Sequence, residues 1–169
     1  MILRSKSRRL SAAICFTFWS AAIAAAQTDA ELLQRGRYIA TAIQGCACHT
    51  RESPDGTKEK EWYLAGAPAQ PPAVGPFPSA GWTNRRWKKL YARNITPDPE
   101  TGIGNWTEAD FMRALRTGLT PDGRVLDPFM PWGAFQGLTD TDLKAIWAYL
   151  RTIEPIKNKV PGRIPAERK

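Results

Sequence analysis

The stretch Gly45-Cys46-Ala47-Cys48-His49 brings together the chain's one histidine and two of its three cysteines. It differs by one position from Cys-x-x-Cys-His, the signature by which c-type haem is attached to protein. In that signature two thiols bond the haem vinyl groups and the adjacent imidazole binds the iron. Cys48 and His49 stand where the signature needs them, whereas Gly45 takes the place of the first cysteine and the second thiol is at Cys46. The stretch therefore indicates a covalent haem site with an altered attachment.

The spacing of the two thiols argues against the usual double attachment. On a helical turn, residues three apart lie within about 60° of each other, whereas residues two apart point about 160° apart. Cys46 and Cys48 are therefore not expected to reach the haem edge together without local distortion. Because Cys48 directly precedes His49, it keeps the normal relation to the haem. We predict one thioether bond at Cys48, with Cys46 either strained into a second bond or left as a thiol.

Other interpretations of the same cluster stay open. A haem-free protein could use Cys46-Ala47-Cys48 as a thiol redox or metal-holding pair, and two small buried cysteines beside a surface histidine need no ligand at all. A zinc site would have Cys46, Cys48 and His49 as ligands. The chain has no further histidine, and its remaining cysteine, Cys15, lies near the N-terminus, so nothing completes a tetrahedral structural set.

The methionines are candidates for a second axial ligand. A methionine thioether opposite histidine raises the reduction potential of haem iron. Met1 belongs to the N-terminal segment, and Met112 lies inside a predicted helix, where a core-filling role is favoured. Met130 lies in irregular sequence directly before Pro131, which stiffens the chain just after the sulfur. We therefore predict Met130 as the second iron ligand.

The N-terminus has the pattern of an export signal. Basic residues precede an apolar stretch from Leu10 to Ala26, which ends in three alanines. This pattern predicts a signal peptide over residues 1–26, cleaved after about Ala26, and a periplasmic protein. The alternative is a retained membrane anchor, but about 17 apolar residues are at the low limit for a spanning helix. We therefore expect no stable membrane span after cleavage.

Charge bears on the choice of partner. The formal net charge is +8, and cleavage would remove four of the 24 basic residues and none of the 16 acidic ones, leaving +4. This mild charge suits an acidic protein partner at least as well as nucleic acid. The stretch from Trp82 to Tyr91 interleaves aromatic and basic side chains, as in some nucleic-acid binders. Since an exported protein rarely meets nucleic acid, a solvated loop face or a docking patch for an acidic redox partner is preferred.

The hydrophobic pattern predicts three helices. The first runs from about 30 to 43 after a possible cap at Thr28-Asp29, the second opens at Thr107 and ends at Gly118, and the third opens at Thr139. Apolar residues recur at helical spacing in each. They are Leu32, Leu33, Tyr38 and Ile39 in the first helix, Phe111 and Leu115 in the second, and Leu143, Ile146, Trp147 and Leu150 in the third.

The rest of the chain lacks periodicity. Residues 51–93 are charged and then proline-rich, which predicts a long surface loop, and residues 119–137 are also irregular. No strand alternation stands out. The polar segment 155–169 is expected to be loosely ordered. We predict one domain over residues 27–161 and a polar C-terminal tail over 162–169.

Four stretches together resemble a known family. They are Arg35-Gly36-Arg37-Tyr38 with Cys48-His49-Thr50; Asn94-Ile95-Thr96-Pro97-Asp98-Pro99-Glu100-Thr101-Gly102-Ile103-Gly104; the Thr107 helix with Leu115-Arg116-Thr117-Gly118; and Met130-Pro131-Trp132 leading into Leu138-Thr139. The chain resembles class I-type monohaem cytochromes c. It is similar to the haem domains in cytochrome subunits of bacterial periplasmic dehydrogenases that oxidise alcohols, aldehydes or sugar acids such as gluconate.

The resemblance implies an all-α, cytochrome c-like helical domain around one haem c, with long loops. It implies that His49 is the proximal and Met130 the distal iron ligand. It also places Asn94, Ile95, Trp106 and Trp132 near the haem. Gly45, in place of the first cysteine, and the basic-aromatic stretch from Trp82 to Tyr91 depart from the family pattern.

The expected function is one-electron transfer from a dehydrogenase to an oxidase or another cytochrome of a respiratory chain. The chain would be an electron carrier or an electron-transfer subunit rather than an enzyme, because it has no second histidine to serve as a base. Two alternatives remain. One is a haem enzyme with an open distal site, and the other is a haem-free periplasmic thiol protein.

Overall fold

Helices are the main regular elements of the fold. The computed structural model describes residues 28–43 and 45–167, so the predicted signal peptide lies outside the described residues. The helices in this part are α1 (28–42), α2 (Gly45–His49), α3 (Glu108–Thr117) and α4 (Asp140–Leu150), with 3-10 turns at Lys60–Trp62 and Trp132–Gly137. One small antiparallel sheet pairs β1 (Trp87–Lys89) with β2 (Ile164–Pro165). The predicted all-α, cytochrome c-like fold is confirmed, and the sheet is an addition to it.

The two longer C-terminal helices begin where the sequence predicted. Thr107 caps α3 by accepting a hydrogen bond from the backbone N–H of Asp110, whose carboxylate accepts one in return from the backbone N–H of Thr107. Thr139 and Asp142 form the same reciprocal pair at the start of α4. Such capping boxes satisfy backbone donors that a helix N-terminus leaves free. Helix α3 ends at Gly118, whose φ of 72° lies in the left-handed region.

Helix α1 packs against α4 through a glycine. A β-carbon at Gly36 would lie 1.9 Å from the carbonyl oxygen of Ala145, so the two backbones are in direct contact. Arg35 reinforces the pair, because its guanidinium lies 2.6 Å from the Asp142 carboxylate that also belongs to the α4 cap. These contacts explain why α1 presents Gly36 and Ala40 as its buried residues.

The sequence prediction for α1 was wrong in two details. Tyr38, grouped with the apolar face, is 71% exposed. The close crossing with α4 admits only small residues, so the buried side of α1 is made by Gly36 and Ala40 rather than by its large side chains. Thr28 and Asp29, considered as a cap, already lie within the helix.

The core lies between α2, α3, α4 and the loops that join them. Its buried members share apolar character and come from all parts of the described chain. They are Ala40, Cys46, Leu64, Ile103, Phe111, Leu115, Phe135, Leu143, Ile146 and Leu150. Because Cys46 is one of them, the cysteine-histidine motif is packed directly against this core.

The C-terminal segment is held more firmly than the sequence indicated. Asn158 is buried, and its side-chain amide donates to the carbonyl oxygens of Ala65 and Ala67, both at 2.7 Å. β2 pairs with β1, matching Ile164 to Lys89. The expectation of loose order is therefore wrong for the segment from Asn158 to β2. These contacts join residues far apart in sequence, and no local pattern signals them.

No helix within residues 28–43 and 45–167 is both long enough and apolar enough to cross a lipid bilayer.

The division of the chain into a domain over residues 27–161 and a C-terminal tail over 162–169 stays a prediction.

Adding a single methyl group at Gly36 tests the contact between α1 and α4. We expect Gly36→Ala to destabilise the protein by about 2 kcal/mol or more, because the new β-carbon must push the Ala145 carbonyl away. The matched control is Gly137→Ala, where nothing lies within 4 Å of the added carbon, and its effect should stay below about 0.5 kcal/mol. Denaturant unfolding of the two variants measures the difference. Equal midpoints would show that the two backbones are not in contact.

Candidate haem-binding site

His49 closes the short helix α2 and is oriented by one backbone contact. Its Nδ1–H donates to the carbonyl oxygen of Arg93 at 2.7 Å. This hydrogen bond selects the tautomer whose free lone pair is on Nε2, the atom that can bind a metal. Burial lowers the pKa of His49, although the bond to Arg93 opposes the shift. The neutral form of the imidazole, which is the ligating form, is therefore favoured at neutral pH.

The loop after α2 fixes the helix from the other side. The backbone N–H of Gly66 donates to the carbonyl oxygen of His49 at 2.7 Å. Thr50 donates to the carbonyl oxygen of Cys46 at 2.6 Å and accepts from the N–H of Leu64 at 3.2 Å. Leu64 is fully buried with a φ of 62°, in the left-handed region that non-glycine residues rarely occupy. The histidine thus sits at a point where several backbone segments converge.

Sequence reasoning missed the part played by Arg93. Its contribution to the histidine is a backbone carbonyl, which any residue type would supply, so no sequence signal marks it. Its side chain has a second role, since Nη1 donates to the carbonyl oxygens of Val160 and Pro161 at 3.1 and 2.9 Å. Arg93 therefore connects the candidate ligand to the C-terminal segment.

The two thiols of the motif lie in different environments. Cys46 is 9% exposed and belongs to the core, whereas Cys48 is exposed. Burial raises the pKa of the Cys46 thiol, and a hydrogen bond with the Tyr63 hydroxyl partly offsets this rise. The Tyr63 hydroxyl in turn lies 3.0 Å from that of Tyr149. Burial is the main cause that raises the pKa of Tyr63, followed by the interactions with Cys46 and Tyr149, so the Tyr63 hydroxyl stays protonated at neutral pH.

The difference in exposure between Cys46 and Cys48 bears on the haem-free alternatives. Cys48 is placed for reaction with an external group, and Cys46 is placed as a core side chain. A working dithiol pair needs both sulfurs to be accessible to each other and to a partner, so this arrangement does not favour the haem-free thiol alternative. In the part of the chain that the structure describes, no group of three or more His, Cys, Asp and Glu side chains is placed to hold a metal ion.

Met130 lies at the other predicted ligand position, in a tight turn. Its N–H donates to the carbonyl oxygen of Asp127 at 3.0 Å, and its own carbonyl accepts from the N–H of Trp132 at 2.7 Å. The side chain is partly buried and packs against the core cluster that contains Cys46. The thioether is thus held at the edge of the core by a stiff stretch of backbone.

Trp132 carries an unpaired polar atom. Its indole packs against the bare backbone of Gly118, where an added β-carbon would come within 2.7 Å of the ring. The indole nitrogen Nε1 is buried and has no hydrogen-bond partner among the described residues. Buried donors are nearly always satisfied in folded proteins, so this N–H is suited to an acceptor supplied by a bound group, such as a carboxylate.

The other predicted neighbours of the haem have clear structural roles. Asn94 is buried, and its amide donates to Thr101 Oγ1 at 3.0 Å and to the carbonyl oxygen of Ile156 at 2.7 Å. Its side-chain oxygen accepts from Thr96, so its hydrogen-bonding capacity is used within the protein. Ile95 and Trp106 pack against the core. Asn94 therefore shapes the loop and ties it to the C-terminal segment.

The donor set fits an iron porphyrin. It combines a neutral imidazole with a free Nε2, an exposed thiol one residue away, a thioether held by a stiff turn and an unpaired indole N–H. Nitrogen and thioether sulfur are the usual axial ligands of haem iron in electron carriers. The assignment of His49 and Met130 as ligands stays a prediction.

A reactivity experiment tests the placement of the thiols. In haem-free protein under native conditions, we expect an alkylating reagent to modify Cys48 at least about tenfold faster than Cys46, because Cys46 reacts only after the core opens. Peptide mapping by mass spectrometry measures the two rates. In denaturant the rates should become similar, which serves as the control. Fast labelling of Cys46 in the native protein would contradict this placement.

Proteins similar to the chain are known among bacterial dehydrogenases. It is 38% identical over 134 residues to one of the subunits of the nicotinate dehydrogenase of Pseudomonas putida. It is 36% identical over 157 residues to the cytochrome c subunit of the quinone alcohol dehydrogenase of Gluconobacter oxydans, and 37% identical over 130 residues to the cytochrome subunit of fructose dehydrogenase of Gluconobacter japonicus. These matches cover 79%, 90% and 76% of this chain. No protein-family model matches it.

The same matches cover 10%, 29% and 23% of the three relatives, so the chain spans less than a third of their length. The names of two of them identify cytochrome subunits of dehydrogenases. The predicted resemblance to such haem domains is confirmed.

Proposed function

We propose that this chain, a cytochrome c resembling the haem domains of dehydrogenase cytochrome subunits, carries single electrons in the periplasm from a dehydrogenase to a respiratory acceptor. The observation that carries the proposal is the geometry of α2. The short helix α2 carries His49, whose Nδ1–H donates a hydrogen bond to the backbone carbonyl oxygen of Arg93. Next to it lies the exposed thiol of Cys48. The relatives named as cytochrome subunits of dehydrogenases support a dehydrogenase as the electron donor.

Each residue of the site has a distinct role in this proposal. His49 would hold the iron through Nε2, and Met130 would hold it through its thioether sulfur. Bound haem supplies a one-electron couple between two oxidation states of iron. With the iron held by both residues, small molecules would be kept from the metal, which would distinguish a carrier from a haem enzyme with an open site. Met130 is partly buried and packs against the core, which supports this role.

The attachment would be made by one thioether bond, at Cys48. Cys46 lies in the core beside Tyr63, whereas Cys48 is exposed. To form a second bond it would have to leave this packing, and burying a side chain of this size in the core stabilises the fold by about 1 kcal/mol or more. We therefore infer that Cys46 stays a thiol in the mature protein and that one haem c is held by Cys48, His49 and Met130.

The partner would be an acidic protein surface. Arg85, Arg86 and Lys88 are exposed on one segment of the chain, near the exposed ring of Phe129. Basic residues around an apolar contact speed the encounter with a negatively charged partner. Export would depend on the N-terminal signal, which lies outside the described residues.

Removal of each thiol tests the mode of attachment. We expect Cys46→Ala, matured in a periplasmic host with haem-loading machinery, to retain haem after acid-acetone extraction, whereas Cys48→Ala loses it. The expected reason is that Cys48 alone faces outward from α2. The pyridine haemochrome spectrum of the extracted protein measures retained haem. A cytochrome with an intact signature, expressed in parallel, controls for loading. Loss of haem in Cys46→Ala with retention in Cys48→Ala would reverse the assignment.

Restoring the usual signature gives the complementary test. A β-carbon at Gly45 would meet nothing closer than the carbonyl oxygen of Ala40 at 3.7 Å, an ordinary contact, so a cysteine fits there. We expect Gly45→Cys to form a second thioether bond and to move the pyridine haemochrome band to shorter wavelength than in the parent. Gly45→Ser, which adds a side chain of similar size without a thiol, should leave the band in place. An unshifted band would contradict this expectation. At the shorter wavelength of a doubly attached haem it would mean that the parent already has two thioether bonds, and at the longer wavelength it would mean that the added thiol stays unbonded.

A further inference from the structure

The basic-aromatic segment of the chain forms a hairpin that contacts the Met130 turn. Trp82 and Leu90 exchange two backbone hydrogen bonds, of 2.8 and 2.9 Å, and β1 lies between them. β2 flanks this hairpin, with the N–H of Ala166 bonded to the carbonyl oxygen of Arg86 at 3.0 Å. We call residues 82–90 the tryptophan hairpin. The sequence had suggested a solvated loop or a docking patch for this segment, and neither interpretation accounts for the contacts of its two tryptophans.

The first of these contacts reaches Asp127. The indole Nε1–H of Trp87 donates to Asp127 Oδ2. The other carboxylate oxygen of Asp127 accepts from the N–H of Phe129 at 2.9 Å, and its carbonyl oxygen accepts from the N–H of Met130. A single aspartate thus joins the tryptophan hairpin to the turn that ends at the predicted ligand. Hydrogen bonds to an ionised acceptor are about twice as strong as neutral ones.

Trp87 is itself held in place by a stacked arginine. The guanidinium carbon of Arg163 lies 4.3 Å from the centre of the Trp87 ring, within the range of a cation–π contact. Arg163 also donates from Nη1 to the carbonyl oxygen of Val125 at 3.3 Å. The C-terminal segment, the tryptophan hairpin and the chain before Asp127 are therefore connected through one stacked pair.

The second contact joins Trp82 to Phe129, the residue directly before Met130. The ring of Phe129 packs against that of Trp82 with centroids 5.1 Å apart, and Trp82 stacks on Phe77 at 5.8 Å. Aromatic pairs at these distances stabilise their arrangement beyond the area that they bury. The two tryptophans of the hairpin consequently hold the turn at two points, Asp127 and Phe129, on the N-terminal side of Met130.

We propose that Trp87 and Asp127 are positioning residues that keep the Met130 thioether on the haem iron, with Trp82 as a second support. The proposal rests on Met130 being the distal ligand, as in the proposed function. A methionine thioether is a neutral ligand, and its bond to ferric iron would be favoured by a backbone that holds the sulfur at the right distance. Release of the turn from the hairpin favours any external ligand that competes for the same coordination position.

Imidazole binding to the ferric, haem-loaded protein measures this competition. We expect Trp87→Phe to bind imidazole about tenfold more tightly than the parent, because the variant keeps a ring under Arg163 and loses the hydrogen bond to Asp127. Asp127→Asn, which weakens the same bond and keeps an acceptor for Phe129, should give a smaller increase, about threefold. The sulfur-to-iron charge-transfer band of the ferric protein should weaken more in Trp87→Phe than in Asp127→Asn.

The matched control is Trp62→Phe. Trp62 also lies under an arginine, since the guanidinium carbon of Arg51 is 3.6 Å from the centre of its ring. Among the described residues, neither this contact nor the backbone hydrogen bonds of Trp62 involve the Met130 turn. Its imidazole affinity should equal that of the parent. In the double variant Trp87→Phe/Asp127→Asn the two effects should not add, since both remove the same interaction. Additive effects would overturn the proposal by showing that the two residues act separately.

Met130→Ala separates the two ways in which the proposal can fail. If Met130→Ala binds imidazole much more tightly than the parent while Trp87→Phe and Asp127→Asn behave as Trp62→Phe does, Met130 is the ligand and the positioning role is overturned. If Met130→Ala and the parent bind imidazole equally, Met130 is not the ligand, and the distal assignment in the proposed function falls together with the positioning role. If Met130→Ala, Trp87→Phe and Asp127→Asn bind imidazole more tightly than the parent and Trp62→Phe does not, the result supports both the distal assignment of Met130 and the positioning role.

Discussion

The hydrogen bond from His49 Nδ1 to the carbonyl oxygen of Arg93 joins residues 44 positions apart, and the site depends on it. It orients the imidazole and fixes its tautomer, and it ties α2 to the loop from 93 to 104. Arg93 extends the connection, because its side chain donates to the backbone of Val160 and Pro161. A short helix of five residues has little stability of its own. Here its position is determined by these long-range contacts, which also fix the orientation of the His49 ring.

The altered motif changes what one thiol can do. In α2 a residue placed two positions before Cys48 faces the core, where Cys46 packs and meets the Tyr63 hydroxyl. The same side chain therefore cannot serve both the core and an external group. The site retains an accessible thiol next to the histidine, and the space around Gly45 shows that the backbone still accommodates the standard arrangement. The departure is one of side-chain placement rather than of fold.

The two sides of the candidate site are supported in different ways. The backbone around His49 is held by hydrogen bonds to neighbouring loops, and Gly66 has a left-handed conformation where it closely approaches the Ala92 carbonyl. The turn that ends at Met130 is held by side chains of the tryptophan hairpin, through Asp127 and Phe129. Surface contacts of this kind are more readily perturbed than buried backbone contacts. A change on the hairpin can therefore reach Met130 without disturbing His49.

The sequence by itself determined the features that depend on near neighbours. It located the motif, the capped starts of α3 and α4, the glycine that ends α3 and the apolar faces of both helices, since caps and periodicity act within one or two turns. Only the tertiary structure decided that Gly36 rather than Tyr38 faces the core, that Arg93 orients His49, that Asn158 and β2 hold the C-terminal segment, and that Trp87 reaches Asp127. These contacts join segments distant in sequence or use backbone atoms. Both kinds are set by how the chain closes on itself, which no local pattern of side chains encodes.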